Sequence, residues 1–477
     1  MEQSKKTAIV FTGWLACLIN RHLNQKVKNY LELNGYTLTT VTEDAELIIF
    51  AGCGVAESVE LYNLKELAYL EHIVEEQNKG QKIILISCLK KINDKTRGTH
   101  YDSEMNKREV VLANKYVADS NSQYIFIDNY DYSVFDKLIN AQIKFELIPE
   151  PNDISLSSGF ETMQLAKKAL KEISPEIKRD FQEEGLLQAN LQSKVYNMGF
   201  FFPIYVDYLA MYGFKNICIG MGCKNYCTYC AIKFAKPKLK SITQSQILNQ
   251  IKELQKKGEH NYLFLCDDMR SWGIDLKQTW IDLFEGIEKI STSETKLALF
   301  NVKVEDILHE KKTFDRLVDK GLISYIGAMA QHINKDVLTM MNREPFEEDD
   351  LINLINEYGS KGVHFHSYNI IGFPGETESQ FMQLLNSLKK VKTENYSILN
   401  FPYSNRLGTK AASSERIDQD IIRDRLMRIN NEFITTSKQR ISNLPENIKE
   451  ILGELISSTT KSEENLEKFG HFLCEVI

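Results

Sequence analysis

The chain has none of the features that mark membrane-spanning, disulfide-stabilised or strongly basic proteins. Nine cysteines in 477 residues are too scattered for a disulfide scaffold, and they are better explained as metal ligands kept reduced in the cytoplasm. The long apolar run from Met198 to Phe214 contains Pro203 and Asp207, and it is too short to span a bilayer. The net charge of −7 offers no general attraction to nucleic acid.

The length of the chain predicts the number of domains, and its first residues resemble an export signal in part. A chain of 477 residues is expected to form two or three domains with a large core. Lys5 and Lys6 before the apolar run from Ala8 to Phe11 resemble a weak export signal. Thr12 and Gly13 follow directly and keep the apolar stretch short, so we expect a first buried strand instead.

One short loop carries the most specific chemical signal. Cys223, Cys227 and Cys230 follow the spacing C-x3-C-x2-C. Three thiolates can hold three irons of a 4Fe–4S cluster and leave the fourth open for a small molecule, of which S-adenosylmethionine (SAM) is the obvious candidate. Zinc sites take four ligands from paired C-x2-C units or Cys/His mixtures, so a zinc loop is the weaker explanation.

The first part of the chain alternates strand and helix patterns, which favours a parallel α/β sheet. Helices are predicted from about Leu18 to Leu33 and from Ala56 to Gln77. The predicted strands are Ala8–Phe11, Glu46–Phe50, Lys82–Ile86 and Tyr124–Ile127.

Three cysteines lie just beyond the C-terminal ends of the first three of these strands. Ligands bind at that edge of an open α/β sheet, so Cys17, Cys53 and Cys88 could hold a second iron–sulfur cluster. The alternative is three buried structural thiols, since cysteine is among the most buried residue types. The residues alone leave both explanations open.

A second α/β region follows. A capping box at Thr243 and Gln246 marks the start of one of its helices. Six βα units suggest an open β/α barrel, whose chemistry belongs at the C-terminal ends of its strands. The predicted strands are Asn216–Ile219, Tyr262–Leu265, Leu297–Val302, Ile323–Ala328, His364–Ile371 and Tyr396–Phe401.

Polar motifs follow these strands, and each also has a structural explanation. Pro374 and Gly375 form first of all a tight turn. The pair Asp267-Asp268 could cap the next loop, and a run of three lysines is usually a solvated face, although near a cluster it could bind the carboxylate of SAM. The motifs are the cysteine loop, Asp267-Asp268, Gln331-His332, Gly372 to Glu376, and Tyr403 to Arg406; the lysines are Lys236, Lys238 and Lys240.

Together these motifs resemble those of the radical SAM methylthiotransferases, over roughly residues 5–100 and 215–430. The three N-terminal cysteines and the last two motifs name the family, while the cysteine loop alone names only the superfamily. The matching segments are Ala16 to Asn20, Ala51 to Val55, Ser87 to Leu89, Gly222 to Cys230, Asp268 to Gly273, Ala330 to His332 with Met341 to Arg343, Ile370 to Thr377, and Phe401 to Ala412.

The resemblance implies an α/β fold and an order of domains. It predicts an N-terminal flavodoxin-like parallel α/β domain that binds an auxiliary cluster (1–149), then a helical insertion (150–212). A radical SAM partial (β/α)6 barrel (213–442) and a helical or disordered tail (443–477) complete the chain. The insertion, with the helical run Glu161–Ile173 and the aromatic patch from Phe200 to Tyr208, is a candidate for choosing the substrate.

The resemblance also implies the cofactors and the reaction. A radical derived from SAM would remove hydrogen from an unactivated C–H, the auxiliary cluster would supply sulfur, and a second SAM the methyl group. Electrons would come from a donor such as flavodoxin or ferredoxin. The implied residues are Cys223, Cys227 and Cys230 for the first 4Fe–4S cluster, Cys17, Cys53 and Cys88 for the second, Tyr229, Lys240, Gly372, Pro374, Gly375 and Glu376 around SAM, and Asp268, Gln331 and Arg406 in the pocket.

Two departures from the family pattern bear on the substrate. Lys236, Pro237 and Lys240 replace an arginine-rich stretch, and lysine cannot reproduce the bidentate contacts of arginine. After Ala412 we expect a helix and a short tail instead of the family's RNA-binding TRAM domain. The expected lack of that domain and the net charge of −7 favour a peptide or protein substrate over an adenosine derivative in tRNA. Sulfur insertion without methylation and a non-catalytic iron–sulfur sensor are further alternatives.

Overall fold

The computed structural model describes residues 6–12, 17–54, 56–77, 80–92, 124–153, 213–406 and 408–441. Most of the predicted insertion, the tail and Cys474 lie outside these ranges. Contacts divide the chain into two compact units. The first contains the described residues of Met1–Lys178 with Tyr229–Lys238 and Ser404–Ser413, and the second those of Arg179–Thr228, Leu239–Tyr403 and Ser414–Ile477.

A five-stranded parallel sheet forms the centre of the first unit. Its strands stand in the order β2-β1-β3-β4-β5, the order of flavodoxin-like folds, so the predicted fold class is confirmed. The strands are β1 (Thr7–Thr12), β2 (Thr37–Leu38), β3 (Leu47–Gly52), β4 (Lys82–Ser87) and β5 (Tyr124–Phe126); the helices are α1 (Leu18–Leu33), α2 (Glu57–Gln77), α3 (Leu89–Ile92), α4 (Ser133–Leu138) and α5 (Ile232–Ala235).

Both faces of this sheet are buried, which explains why its strands are almost continuously apolar. Ala8 and Val10 of β1 pack with Val27 of α1, while Ile9 packs on the opposite face with Leu67 of α2. Side chains alternate between the faces of a strand, so one run of apolar residues serves two core layers. The result is a three-layer α/β arrangement.

Glu150 ties the end of the described N-terminal segment to α1. Its carboxylate lies 2.8 Å from His22 Nε2 and 2.5 Å from Lys26 Nζ. Burial raises the pKa of Glu150, but the His22 hydrogen bond and the Lys26 charge outweigh it and lower the pKa to about 2. The carboxylate is therefore charged in the folded protein at neutral pH.

A six-stranded parallel sheet forms the second unit. Its strands stand in chain order, β13-β12-β11-β10-β9-β6, as successive units of a β/α barrel do, and β6 does not pair with β13, so the barrel is open. The strands are β6 (Lys215–Cys218), β9 (Asn261–Leu265), β10 (Lys296–Val302), β11 (Ile323–Gln331), β12 (His364–Ile371) and β13 (Tyr396–Pro402).

Helices pack against this sheet, and three of them begin with a capping box. The Thr243–Gln246 box was predicted, and Thr279 and Thr377 cap two further helices in the same way. The helices are α6 (Gln244–Lys256), α7 (Trp280–Glu288), α8 (Val304–His309), α9 (Lys311–Asp319), α10 (Lys335–Met340), α11 (Glu348–Ser360), α12 (Glu378–Ser387) and α13 (Gln419–Ile441).

Two short strands of the second unit, β7 (Gly220–Met221) and β8 (Lys240–Ser241), were not predicted and pair antiparallel. Among the helices of the described ranges, none has a stretch long and apolar enough to cross a membrane.

Candidate active site

Cys17, Cys53 and Cys88 follow three neighbouring strands of the first unit. Strands β1, β3 and β4 are adjacent and parallel, so their carboxyl ends meet at one edge of the sheet. Cys88 N donates to the Gly52 carbonyl at 3.2 Å, which brings the loop after β4 against the end of β3. Cys53 and Cys88 are buried and Cys17 is exposed. This edge placement is the one expected from the sequence.

Buried polar side chains connect the loops that carry these cysteines. The side chain of Asn63 in α2 accepts a hydrogen bond from Cys53 N at 2.7 Å. The Ser87 hydroxyl, next to Cys88, donates to Asn20 Oδ1 at 2.5 Å. Asn20 lies in the first turn of α1, which begins directly after Cys17. These side chains fix the loop backbones, and sequence reasoning gave none of them a role.

The loop that contains Cys223 and Cys227 is held by polar residues that follow β9. Gly222 has a φ of +91°, a conformation that glycine adopts without strain, and its N–H donates to Asp267 at 2.8 Å. Lys224 N donates to Ser271 Oγ at 3.0 Å, and Ser271 in turn donates its N–H and hydroxyl to Asp268. Asp268, predicted as a pocket residue, is buried and orders the loop through Ser271.

Cys223 lies in an environment that disfavours the free thiolate. Burial and the neighbouring Asp268 carboxylate raise the pKa of the Cys223 thiol to about 11, although two N–H groups of Asn225 point at its sulfur, at 3.2 and 3.4 Å. A bound cation reverses this balance, because a coordinating thiol is deprotonated outright. N–H groups directed at a sulfur are also the contacts that tune an iron–sulfur cluster.

The six cysteines suit iron–sulfur ligation by their chemistry and their places at strand ends. Within the described ranges, no three His, Cys, Asp or Glu side chains come together as metal ligands. Cys223 and Cys227 belong to the second unit and Cys230 to the first. The assignment of these cysteines as ligands therefore stays a prediction.

The turn after β12 is glycine-rich for steric reasons. Gly372 has a φ of +79°, and a Cβ there would lie 2.4 Å from Ile422 of α13. Gly375 has a φ of +87° and faces Met340, whose sulfur would lie 3.1 Å from an added Cβ. The turn therefore needs both glycines for its conformation, as the tight-turn interpretation of the sequence predicted.

Glu376 organises this turn from inside the protein. Its fully buried carboxylate accepts the Gly372 N–H at 2.5 Å and lies 3.3 Å from Arg425 of α13. His332 Nδ1 accepts the Asn334 N–H, so its Nε2 carries the proton and faces Glu376 at 3.4 Å. Glu376 was predicted to lie around SAM, and its carboxylate bonds within the protein.

Other predicted site residues have diverse surroundings. Gln331 ends β11 with a φ of +65°. Arg406 forms a buried ion pair with Glu60 of α2 inside the first unit.

Lys240 is exposed, whereas Lys236 is buried, so the interpretation of the three lysines as one solvated face is wrong for Lys236. Its burial follows from its place after α5, which packs with Cys88 in a small apolar cluster. Tyr229 is half-buried and Pro374 is buried.

A cavity of about 250 Å³ lies beside the cysteine loop in the second unit. Arg343, from the predicted Met341 to Arg343 motif, lies in its wall in a double hydrogen bond with Glu305, at 2.8 and 2.9 Å. Lys303 donates to Asn225 at 3.1 Å, and sequence reasoning did not select Lys303 or Glu305 because no motif surrounds them. The lining residues are Lys224, Asn225, Tyr226, Cys227, Lys303, Glu305, Asn342, Arg343 and Glu344.

Comparisons with known families agree with this architecture. Residues 217–388 match the radical SAM superfamily, and residues 9–105 match an uncharacterized protein family, UPF0004. The first match covers most of the barrel strands with the cysteine loop, and the second covers most of the sheet at whose edge Cys17, Cys53 and Cys88 lie. Residues 217–388 therefore form a radical SAM domain.

The similar proteins include two that are named for methylthio modification. The chain is 25% identical over 465 residues to tRNA-2-methylthio-N(6)-dimethylallyladenosine synthase of Clostridioides difficile, covering 96% of this chain and 83% of that protein. It is 34% identical over 200 residues to ribosomal protein uS12 methylthiotransferase RimO of Clostridium kluyveri, covering 40% of this chain and 43% of that protein. The radical SAM methyltransferase TsrM from Kitasatospora setae superposes with a TM-score of 0.49 at 9% identity, over 85% of this chain and 75% of that one.

The chain thus carries a radical SAM domain and a UPF0004 domain, and similar proteins are named as methylthiotransferases, which agrees with the family that its motifs predicted. Enzymes of this family use SAM and two 4Fe–4S clusters, which confirms the predicted cofactors.

Proposed function

We propose that this methylthiotransferase inserts sulfur at an unactivated C–H of a peptide or protein substrate and then methylates it. The observation that carries the proposal is the pair of cysteine sets, one in the C-x3-C-x2-C loop after β6 and one at the carboxyl edge of the first sheet. Cys223, Cys227 and Cys230 would hold the cluster at which SAM binds. Cys17, Cys53 and Cys88 would hold the auxiliary cluster.

When bound, the cofactors supply the radical, the sulfur and the methyl group. The protein supplies position. Asp267 and Ser271 hold the backbone of the cysteine loop, and Asn225 directs two N–H groups at Cys223. Glu376 holds the turn at Gly372, whose backbone we assign to supporting SAM. Positioning of reactants is a large part of catalysis when the cofactor carries the chemistry.

Charge favours a peptide or protein substrate. Phosphate contacts dominate nucleic-acid affinity, and the chain has a net charge of −7. Of the three lysines at the place of the family's arginine-rich stretch, Lys236 is buried, which leaves Lys238 and Lys240 exposed there. Two exposed lysines in one segment are a small electrostatic footprint for a folded RNA.

An adenosine derivative in tRNA is the second candidate substrate. It is favoured by one observation, namely that relatives aligned over 87–96% of this chain are named as tRNA-modifying synthases. Mass spectrometry of RNA nucleosides and of the proteome, from cells with and without the gene, separates the two candidates. Loss of a methylthio-nucleoside would exclude a purely protein substrate, and loss of a methylthio-peptide would exclude a purely RNA substrate.

Single cysteine variants test the two-cluster assignment. We expect Cys17→Ala to abolish sulfur transfer while 5′-deoxyadenosine still forms from SAM, because only the auxiliary cluster loses a ligand. Cys227→Ala should abolish both. Cys218→Ala is the control, since Cys218 ends β6 outside both cysteine sets and its thiol lies 3.9 Å from the Gly220 carbonyl.

Each alternative predicts a different pattern in that experiment. Full sulfur insertion by Cys17→Ala would disprove the auxiliary cluster assignment. A product with a thiol but no methyl group would show that the enzyme stops at sulfur insertion. No SAM cleavage by the unmodified protein under reducing, anaerobic conditions would support the non-catalytic sensor.

A further inference from the structure

Asn20 is a buried polar residue that closes the matching segment Ala16 to Asn20, and neither the resemblance nor the comparisons assign its side chain a function. Its side chain is 1% exposed, and its backbone N–H donates to the Cys17 carbonyl at 2.9 Å in the first turn of α1. A hydrophobic residue would satisfy packing at such a position. An amide there needs a polar reason, because burying it without hydrogen bonds is costly.

The acceptor end of the Asn20 amide is fixed by the loop after β4. Asn20 Oδ1 accepts from the Ser87 hydroxyl at 2.5 Å. Ser87 has a φ of +76°, pairs with Gly52 across the sheet and directly precedes Cys88. One side chain therefore links the turn after Cys17 to the loop of Cys88, beside the strand end that leads to Cys53.

The nitrogen of the same amide, Asn20 Nδ2, takes no part in this contact. In the described part of the chain, Asn20 Nδ2 is buried and has no hydrogen-bond partner. Leaving a buried donor unsatisfied is costly, so such groups call for an explanation such as a bound ion or ligand. The opposite orientation of the amide would bury an unpaired oxygen in place of the unpaired nitrogen, so it would not remove the need for a partner.

We propose that Asn20 Nδ2 donates a hydrogen bond to a sulfur atom of the auxiliary cluster held by Cys17, Cys53 and Cys88. This inference rests on the proposed function. Thiolate and sulfide are acceptors that carry negative charge, so they match a lone amide donor. Hydrogen bonds to the sulfurs of a cluster favour its more negative, reduced form. Ser87 is the positioning residue that aims the amide.

The reduction potential of the auxiliary cluster measures this contact directly. The background is the full chain with Cys223, Cys227 and Cys230 replaced by Ala, so that the auxiliary cluster alone gives an EPR signal. We expect Asn20→Leu to shift the midpoint potential to more negative values. Asn20→Asp should shift it further or cause cluster loss, because it replaces the donor by a negative charge. Ser87→Ala should give a smaller shift of the same sign.

Asn29→Asp is the charge-matched control. Asn29 lies on the same helix, accepts a hydrogen bond from Gln25 and is half-buried, so this variant adds the same charge away from Cys17. We expect its potential to match that of the unmodified background. An equal shift in Asn29→Asp and Asn20→Asp would overturn the inference, as would an unchanged potential in Asn20→Leu.

Thermal unfolding of the apo-protein separates a contact to the cluster from a structural role. The double variant Asn20→Leu, Ser87→Ala removes both partners of the hydrogen bond and the leftover donor, so the apo midpoint should stay the same or rise. The same variant should lower the potential of the reconstituted cluster. A large fall of the apo midpoint would assign Asn20 a purely structural role. Failure of the unmodified background to bind iron would instead overturn the proposed function.

Discussion

Gly372→Ala tests the packing of α13 on the turn after β12. We expect the variant to lower the free energy of unfolding for two reasons. Gly372 has a φ of +79°, and a Cβ there would lie 2.4 Å from Ile422 Cγ1 and 2.6 Å from its Cδ1. The left-handed conformation costs an alanine about 1–2 kcal/mol. Forcing a methyl group into a packed site adds about 1–3 kcal/mol.

Gly362→Ala isolates the backbone penalty. Gly362 has a φ of +86° and lies two residues after α11, and within the described ranges no heavy atom beyond those of its two chain neighbours lies within 4 Å of an added Cβ. Gly362→Ala should therefore lower the free energy of unfolding only by the cost of the left-handed conformation, about 1–2 kcal/mol. The difference between the two alanine variants measures the clash with Ile422.

Urea unfolding followed by tryptophan fluorescence is the assay, because Trp272 and Trp280 are buried in the same unit. Ile422→Ala alone should cost about 2–5 kcal/mol, and less when Gly372→Ala is already present, because the smaller side chain makes room for the new methyl group. Equal midpoints for Gly372→Ala and Gly362→Ala, or additive effects in the double variant, would refute the packing argument.

Two further changes test charges within single units. The pKa of Glu150 is lowered to about 2 from an ordinary 4.5, so its contribution, on the order of 3 kcal/mol, is present above pH 4.5 and is lost as pH falls toward 2. The stability gap between wild-type and Glu150→Gln apo-protein should close over that range, and a gap independent of pH would contradict the ion pairs. Arg425→Ala leaves the Glu376 carboxylate buried without its cation, so we expect a loss of about 3–5 kcal/mol and weaker SAM binding by equilibrium dialysis. Arg423→Ala, which removes an exposed pair on the same helix, should change neither.

Much of the fold could be predicted because the parallel strands carry long β-branched runs. The strand at 364–371 and the helix at 18–33 have the predicted bounds, and the other long strands differ by only a few residues at their ends. The cysteine positions followed from the same pattern, since Cys53 and Cys88 come directly after the ends of apolar strands. Cys17 was placed in the same way, beyond the predicted strand Ala8–Phe11, and α1 begins next to it.

Elements that depend on distant partners could not be predicted. The strand Thr37–Leu38 has two residues, and pairing with Thr7 and Ala8 defines it. The ion pair between Arg406 and Glu60 joins positions 346 residues apart in sequence, and no local pattern signals such a contact. Burial of Lys236 likewise depends on long-range packing and not on the charges of its neighbours in sequence.

Polar residues at strand ends serve two purposes that a motif does not distinguish. Asp268 and Glu376 were selected as pocket and cofactor residues, yet both carboxylates are buried and bonded within the protein. Asp268 accepts from Ser271, and Glu376 accepts from the Gly372 backbone. In a tight turn, some backbone N–H groups have no backbone carbonyl to bond. Where such an N–H is buried, it needs another acceptor. Short acidic side chains are thus required at these ends even where they touch no substrate. Two variants separate the role of Glu376 as an acceptor from the role of its charge. Glu376→Gln keeps the acceptor and removes the charge, whereas Glu376→Ala removes both. Glu376→Gln should retain more SAM binding than Glu376→Ala if the carboxylate acts by holding Gly372.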